Sequence, residues 1–156
     1  SLYPAALANS GACNINVNCP EGADWQTEKR SVALIVNGGS AYCTGSLVNN
    51  TANDATPYFL TANHCIGTPN TWVYYFNHES ADCSGTSGPT DQSISGGTLL
   101  VQSGGSDFAL IELSSTPPAS YNVEYAGWDN SGNIPSAAVG IHHPSGDLKK
   151  ICFEND

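Results

Sequence analysis

The chain has 156 residues, of which 40% are hydrophobic and 12% are charged, so it is long enough for one ordinary domain with a sizeable core. Its formal net charge of −10 argues against nucleic acid and anionic membrane surfaces as partners. No stretch approaches the roughly 18 apolar residues of a membrane-spanning helix. No signal peptide is evident, so we expect that an exported protein would be a processed form.

The predicted elements are short β-rich runs separated by turn residues. In chain order these runs are SVALIV (31–36), YCTGSLV (42–48), YFLTA (58–62), WVYYFN (72–77), TLLVQ (98–102), FALIEL (108–113), VEYAGW (123–128) and AAVGIHH (137–143). Sustained helical periodicity is missing, and many short strands at this spacing indicate an all-β sandwich or barrel. Residues 1–30 look irregular, and the proline-containing stretch SSTPPAS (114–120) looks like a linker.

The run around Trp72 predicts part of the core. Trp72, Tyr74 and Phe76 alternate with other residues, as expected for a strand with one buried face. His78 follows this run directly, and we expect it to be exposed. His142 and His143 are chain neighbours whose side chains would point to opposite faces of a strand, so we predict structural roles rather than a shared metal ion.

The six cysteines predict a disulfide framework rather than a zinc site. They lie at positions 13, 19, 43, 65, 83 and 152, and no C-x-x-C pair occurs among them. A zinc protein using His64 and Cys65 is a weaker alternative, because adjacent ligands strain tetrahedral geometry and the usual cysteine spacing is absent.

A histidine and an aspartate form the main candidate for chemistry. His64 follows the predicted strand YFLTA, and Asp107 stands at the start of the apolar strand FALIEL. An acid at that position is costly unless a partner pairs with it, and a histidine at the end of another strand can be that partner. Such a pair sets the tautomer of the ring and stabilises the imidazolium, as general-base catalysis by histidine requires.

Three motifs in order, CTGSLV, TANHC and DFALIEL, resemble the first half of a trypsin/chymotrypsin-like serine protease. The resemblance implies an all-β, antiparallel double-barrel fold, with the first barrel complete and the second only begun. It implies that His64 is the general base, that Asp107 orients it, and that a Cys43–Cys65 disulfide closes the histidine loop. The domains would be a disulfide-tethered segment (1–30), the first barrel (31–114), and a linker with the opening strands of the second barrel (115–156).

The closest resemblance is to the bacterial lysyl endopeptidase branch of that family. It is carried by SGACNINVNCPEG, CTGSLVNNTAND, YFLTANHC, AGWD and IHHP. It implies that Cys19 pairs with Cys83 and that Cys13 pairs with a cysteine much further along. Cys152 has no counterpart in the branch, so it pairs with Cys13, pairs with a cysteine outside the chain, or stays free.

The nucleophile that this family requires is missing from the sequence. A G-[DS]-S-G-[GS]-P segment should follow the aspartate, and none occurs after Asp107. The look-alike GTSGP (85–89) precedes Asp107 and lies in a polar loop, so Ser87 is a poor candidate. We therefore expect the nucleophilic serine, the oxyanion hole and the specificity pocket to lie outside this chain.

The resemblance implies a secreted serine endopeptidase, with lysine specificity carried by the branch alone. Its partners would be protein or peptide substrates and the missing C-terminal half of the same protein, and no metal or organic cofactor is implied. The isolated chain would be inactive without the downstream serine. The alternative is a non-catalytic binding module that keeps His64 and Asp107 by descent and has lost the serine.

Overall fold

The computed structural model describes residues 10–11 and 13–155. These residues form ten short strands and six short 3-10 segments, which irregular segments connect. The strands are β1 (Ile15–Asn16), β2 (Val32–Asn37), β3 (Ser40–Leu47), β4 (Tyr58–Ala62), β5 (Val73–Phe76), β6 (Ser93–Ser95), β7 (Gly97–Ser103), β8 (Phe108–Leu113), β9 (Ala137–His142) and β10 (Lys150–Asn155). The 3-10 segments are Pro20–Trp25, Glu28–Ser31, Asn63–Cys65, Pro69–Thr71, Ala119–Tyr121 and Pro144–Gly146. The all-β prediction is confirmed.

A seven-stranded antiparallel sheet, in the order β6-β5-β2-β3-β4-β8-β7, curls into a half-barrel. Consecutive strands β2 and β3 form a hairpin in which Gly38 and Gly39 have φ values of +57° and +83°. These left-handed conformations favour glycine and explain the NGG turn after the apolar run. Strands β4 and β8 are neighbours, with Ala62 opposite Phe108, so the end of β4 meets the start of β8.

The core lies inside this curled sheet, as the alternating pattern predicted. Trp72, Tyr74 and Phe76 are fully buried, and the ring of Tyr74 meets that of Phe59 edge-on with centroids 5.0 Å apart. The other members of the buried cluster are Ala33, Ile35, Leu47, Ile94, Ile111 and Leu113. In β4, β5 and β8 every second residue is buried in this interior, and a shift of one residue in strand pairing would expose that apolar face.

A second, three-stranded sheet has the order β1-β10-β9. Its short strand β1 comes from the N-terminal segment, and Ile15 lies opposite Ile151 in β10. The sequence did not predict this strand. The division into segments 1–30, 31–114 and 115–156 stays a prediction.

The stretch VEYAGW was predicted as a strand, and this prediction is wrong. Within this stretch only Ala126 pairs with a strand residue, through an isolated parallel bridge to Val48. The N–H of Ala126 donates to the carbonyl of Leu47. Two main-chain hydrogen bonds satisfy Ala126 without a continuous ladder, so the flanking residues stay irregular.

Within the described residues, no helix is long and apolar enough to cross a bilayer.

Candidate active site

His64 lies in the single 3-10 turn Asn63–Cys65, directly after β4 ends at Ala62. The next residue, Cys65, is buried and forms a disulfide with Cys43 in β3. The backbone at His64 is therefore fixed on both sides: β4 ends just before its turn, and the disulfide of Cys65 joins the turn to β3. The bridge spans a sequence separation of 22, and closing such a loop stabilises a fold by roughly 3 kcal/mol in the loop-entropy model.

Asp107 contacts the histidine turn at three points. Its carbonyl accepts the N–H of Asn63 at 3.1 Å, and its Oδ1 accepts the main-chain N–H of His64 at 2.9 Å. Its Oδ2 lies 2.6 Å from Nδ1 of His64. Asp107 has a φ of +50°, a left-handed conformation that aspartate tolerates better than most residues, and it precedes β8 immediately.

This contact sets the chemistry of the imidazole. The ionised carboxylate of Asp107 can only accept hydrogen bonds, so it favours the tautomer of the neutral His64 ring with the proton on Nδ1 and the lone pair on Nε2. The hydrogen bond from the His64 side chain, and then the bond from its main-chain N–H, hold the pKa of Asp107 below its ordinary value. A ring with a fixed tautomer and a free Nε2 can accept a proton from a substrate or a nucleophile.

The pair is more open to solvent than the sequence suggested. The side chain of His64 is 71% exposed and that of Asp107 is 51% exposed. An acid at the start of a buried strand was expected to need a partner, and it has one. Its side chain nevertheless remains about half exposed, at the residue directly before β8.

The expected disulfide partners are bonded to one another. Cys43 is joined to Cys65 and Cys19 is joined to Cys83, which ties the N-terminal segment to the loop after β5. Potential ligand atoms of Cys43, His64 and Cys65 cluster within 4.8 Å. Since both sulfurs are in a disulfide, neither is a thiolate, and the oxidised chain has no cysteine ligand to give zinc there.

Cys13 and Cys152 are free in the structure. Cys13 is exposed, whereas Cys152 lies against the carbonyl of Gly140 at 3.6 Å. The structure therefore does not join the two cysteines whose pairing the sequence left open.

Ser87 lies outside the elements that carry His64 and Asp107. It belongs to the irregular segment between β5 and β6, where it lines an open depression of about 450 Å³ with Asn18 and Glu79. Within the described residues, Ser87 makes no hydrogen bond to His64 or Asp107. The exclusion of Ser87 as the nucleophile stays a prediction.

His78 and His143 are buried, so the prediction that His78 is exposed is wrong. His142 is half-buried. Nδ1 of His78 lies 2.9 Å from the carbonyl of Pro89, and its ring stacks on His143 with centroids 6.0 Å apart. Nδ1 of His143 lies 2.9 Å from the carbonyl of Asp147. Burial, followed by the nearby charge of Lys149, holds the pKa of His143 well below its ordinary value, so the ring stays neutral.

Sequence reasoning missed a polar link between the sheets. The N–H of His143 donates to the hydroxyl of Thr44 at 2.9 Å, and the carbonyl of Thr44 accepts the hydroxyl of Thr61 at 2.8 Å. Thr44 and Thr61 belong to the motifs CTGSLV and TANHC, and His143 belongs to IHHP. Their occurrence in three separate motifs was the available signal, but no spacing rule pairs them.

Comparison with known proteins identifies the family of this chain. The family model described as the lysyl endopeptidase C-terminal domain matches residues 7–156. A curated lysyl endopeptidase from Pseudomonas aeruginosa is 31% identical over 176 aligned residues, which cover 99% of this chain and 37% of the relative. The chain thus spans just over a third of the length of that relative. The chain belongs to the lysyl endopeptidase C-terminal domain family.

Proposed function

We propose that this chain carries the general base and the orienting acid of a serine endopeptidase. The observation that supports this most is the double contact of Asp107, whose two carboxylate oxygens meet Nδ1 and the main-chain N–H of His64 at 2.6 and 2.9 Å. One oxygen fixes the tautomer and the other fixes the position of the histidine backbone. A base misplaced by about 1 Å can reduce the reaction rate about a hundredfold, so these two hydrogen bonds would serve catalysis by holding His64 in position.

In the proposed reaction, Nε2 of His64 takes the proton of a serine hydroxyl. The serine oxygen attacks the scissile carbonyl, and the imidazolium, stabilised by Asp107, then gives its proton to the leaving amine. Water hydrolyses the resulting acyl-enzyme with the same histidine as base. The serine and its oxyanion hole would come from outside these 156 residues, because no G-[DS]-S-G-[GS]-P segment follows Asp107 here.

We further propose that the protein cuts after lysine. The support is membership of a family named for lysyl endopeptidase and the identically named relative from Pseudomonas aeruginosa. Protein or peptide substrates follow from this activity. The two disulfides support a secreted protein, since such bridges persist in oxidising compartments.

The test uses the full-length protein and peptides that differ only in one central residue, lysine, arginine or leucine. We expect cleavage on the carboxyl side of lysine, and a loss of about 10⁴-fold or more in kcat for His64→Ala, whose base is removed. An organophosphorus reagent specific for activated serines should label one serine and locate it by peptide mapping.

A full-length protein that neither cleaves any of the three peptides nor reacts with the reagent would be the non-catalytic binding module instead. Cleavage that survives in His64→Ala would reject the role of His64. Equal cleavage of the lysine and arginine peptides would reject the lysine preference alone.

A further inference from the structure

The lysines of this chain are few and share an unusual environment. The 156 residues contain Lys29, Lys149 and Lys150, and their side chains are 11%, 0% and 11% exposed. Lysine is ordinarily a surface residue and is almost never fully buried unless it is paired. A chain whose lysines all lie inside therefore needs an explanation.

Lys29 is held by side chains from two other parts of the chain. Its Nζ donates to Oε1 of Glu79 at 2.5 Å and to Oδ1 of Asn18 at 2.6 Å. Its backbone belongs to the 3-10 segment Glu28–Ser31, which differs from the extended conformation that a protease cleft binds.

Lys149 is fully buried beside the same carboxylate. Its Nζ donates to the carbonyl of Lys29 at 2.8 Å and lies 3.4 Å from Oε2 of Glu79. Its main-chain N–H donates to the carbonyl of His78 at 3.1 Å. Burial lowers the pKa of Lys149 to about 8, which shows how far this ammonium is removed from water.

Lys150 lies in the middle strand of the three-stranded sheet. Its backbone is paired on one side with Asn16 and on the other with His142. Its Nζ donates to Oδ1 of Asn16 at 2.6 Å and lies 3.5 Å from Oδ2 of Asp147. Both the side chain and the peptide bonds around it are thus engaged.

The accessible loops show the opposite pattern. The stretches 49–57, 77–92 and 127–136 contain many exposed residues and contain no lysine. Exposed loop tips are where proteases ordinarily nick a folded protein. The one arginine, Arg30, keeps a side chain 28% exposed, more than any lysine. The burial therefore distinguishes lysine from the other basic residue.

We propose that this placement makes the folded chain resistant to cleavage by other copies of the same enzyme. The inference rests on the proposed lysine preference. To be cut after lysine, a chain must present the side chain to a specificity pocket and an extended backbone to the cleft. Each lysine here would first have to break an ion pair and leave its 3-10 segment, buried loop or strand, so cleavage is limited to molecules that have opened locally.

The experiment uses full-length protein carrying His64→Ala as the substrate, incubated with a small amount of wild-type enzyme. A second substrate adds Thr86→Lys, which introduces a lysine at an exposed loop position without a strand. A matched control adds Thr86→Arg instead. A synthetic peptide with one lysine reports the activity in each mixture, and mass spectrometry after reduction locates the cuts.

We expect the Thr86→Lys substrate to be cut before Ser87 at least about a hundredfold faster than any folded substrate is cut after Lys29, Lys149 or Lys150. The reason is that the rate of cleavage at a buried site is proportional to the small fraction of molecules that are locally open. The Thr86→Arg substrate should not be cut before Ser87. The reduced and denatured His64→Ala substrate should be cut after all three natural lysines.

Failure of this inference and failure of the proposed function give different results. If the peptide is cleaved but the folded His64→Ala chain is cut after its natural lysines as fast as after the introduced one, burial does not protect it. If the peptide is cleaved and the Thr86→Lys substrate is not cut before Ser87, exposure of a lysine does not decide where the enzyme cuts, and the inference also falls. If the peptide itself is not cleaved, the lysine-specific activity is absent and the inference falls with it.

Discussion

The main-chain N–H of His143 donates to the hydroxyl of Thr44 at 2.9 Å, and this bond joins the three-stranded sheet to the half-barrel. Thr44 also accepts the hydroxyl of Thr61, three residues before His64. The turn after His143 packs closely on β3, the strand of Thr44. A Cβ built at Gly146 would lie only 2.4 Å from Cβ of Ala41. Strand β3 therefore links the second sheet to the strand that ends at the candidate base.

Thr44→Val should lower kcat in the full-length enzyme by about tenfold to a hundredfold and change KM little. The valine keeps the shape of threonine but cannot accept the His143 N–H, so the two sheets lose a fixed relative position. Thr44→Ser keeps the hydroxyl and should stay within about threefold of wild type. Steady-state kinetics and thermal unfolding of all three proteins test this. A Thr44→Val protein that melts earlier but keeps full kcat at a temperature where it is folded would limit Thr44 to a stabilising role.

Asp107→Asn should reduce kcat by about 10⁴-fold, because the amide group can donate to Nδ1 and favour the wrong tautomer of His64. The matched control is Asp82→Asn, since Asp82 is also exposed and also accepts two local hydrogen bonds, from the main chain and hydroxyl of Ser84. That control should keep kcat within about twofold. Equal kcat for the wild type and the Asp107→Asn protein would show that the contact between Asp107 and Nδ1 of His64 does not contribute to catalysis.

The local parts of this site could be predicted from the sequence. The strands before His64 and after Asp107 follow from short apolar, β-rich runs, and the pairing of β4 with β8 brings the two side chains together. The pattern Trp72, Tyr74 and Phe76 likewise predicted a buried face correctly. Such features depend on residues close in sequence or on a motif that carries its own context.

The remaining features depend on contacts between distant residues. His78 follows a strand and looks like a solvent-exposed histidine, yet it is buried because His143 stacks on its ring from the other sheet. The bond from His143 to Thr44 spans 99 residues and has no local signal. Ile15 near the start of the described chain pairs with Ile151 near its end. No pattern within either segment determines these contacts.

Glu79 should control stability at acidic pH. Burial alone would raise its pKa, but the charges of Lys149 and Lys29 outweigh burial and hold the pKa below its ordinary value of 4.5. A carboxyl whose pKa is lower in the folded state stabilises that state above the unfolded pKa, and this stabilisation is lost as pH falls through the folded pKa. Protonation of Glu79 would leave two buried ammonium groups without their counter-ion.

Glu79→Gln should therefore lower the free energy of unfolding by about 3–5 kcal/mol at pH 7, since it leaves buried cations unpaired. Below the folded pKa of Glu79 the difference from wild type should shrink towards zero. Urea unfolding at pH 7, 4 and 3 measures both effects. The control Glu124→Gln removes a more exposed partner, 3.6 Å from Arg30, and should cost at most about 1 kcal/mol at any of these pH values. A Glu79→Gln deficit that stays constant from pH 7 to pH 3 would contradict the assignment.

The glycine of the CTGSLV motif is required by packing, so Gly45→Ala should be destabilising. A Cβ at Gly45 would lie 2.3 Å from Cε1 of Phe59 and 2.5 Å from the carbonyl oxygen of Leu60. Phe59 is fully buried against Tyr74, so its ring cannot move aside without disturbing the core. We expect a loss of about 1–3 kcal/mol in the free energy of unfolding, as in other overpacked cores.

The control for this prediction is Gly67→Ala. Nothing lies within 4 Å of a Cβ built at Gly67, so that substitution should be neutral or stabilise the fold by up to about 1 kcal/mol, through the unfolded state. Because Gly45 pairs with Thr61 in β4, the strain in Gly45→Ala should also displace the strand that ends at His64 and lower kcat. Equal unfolding free energies for the Gly45→Ala and Gly67→Ala proteins would mean that β3 and β4 separate at little cost.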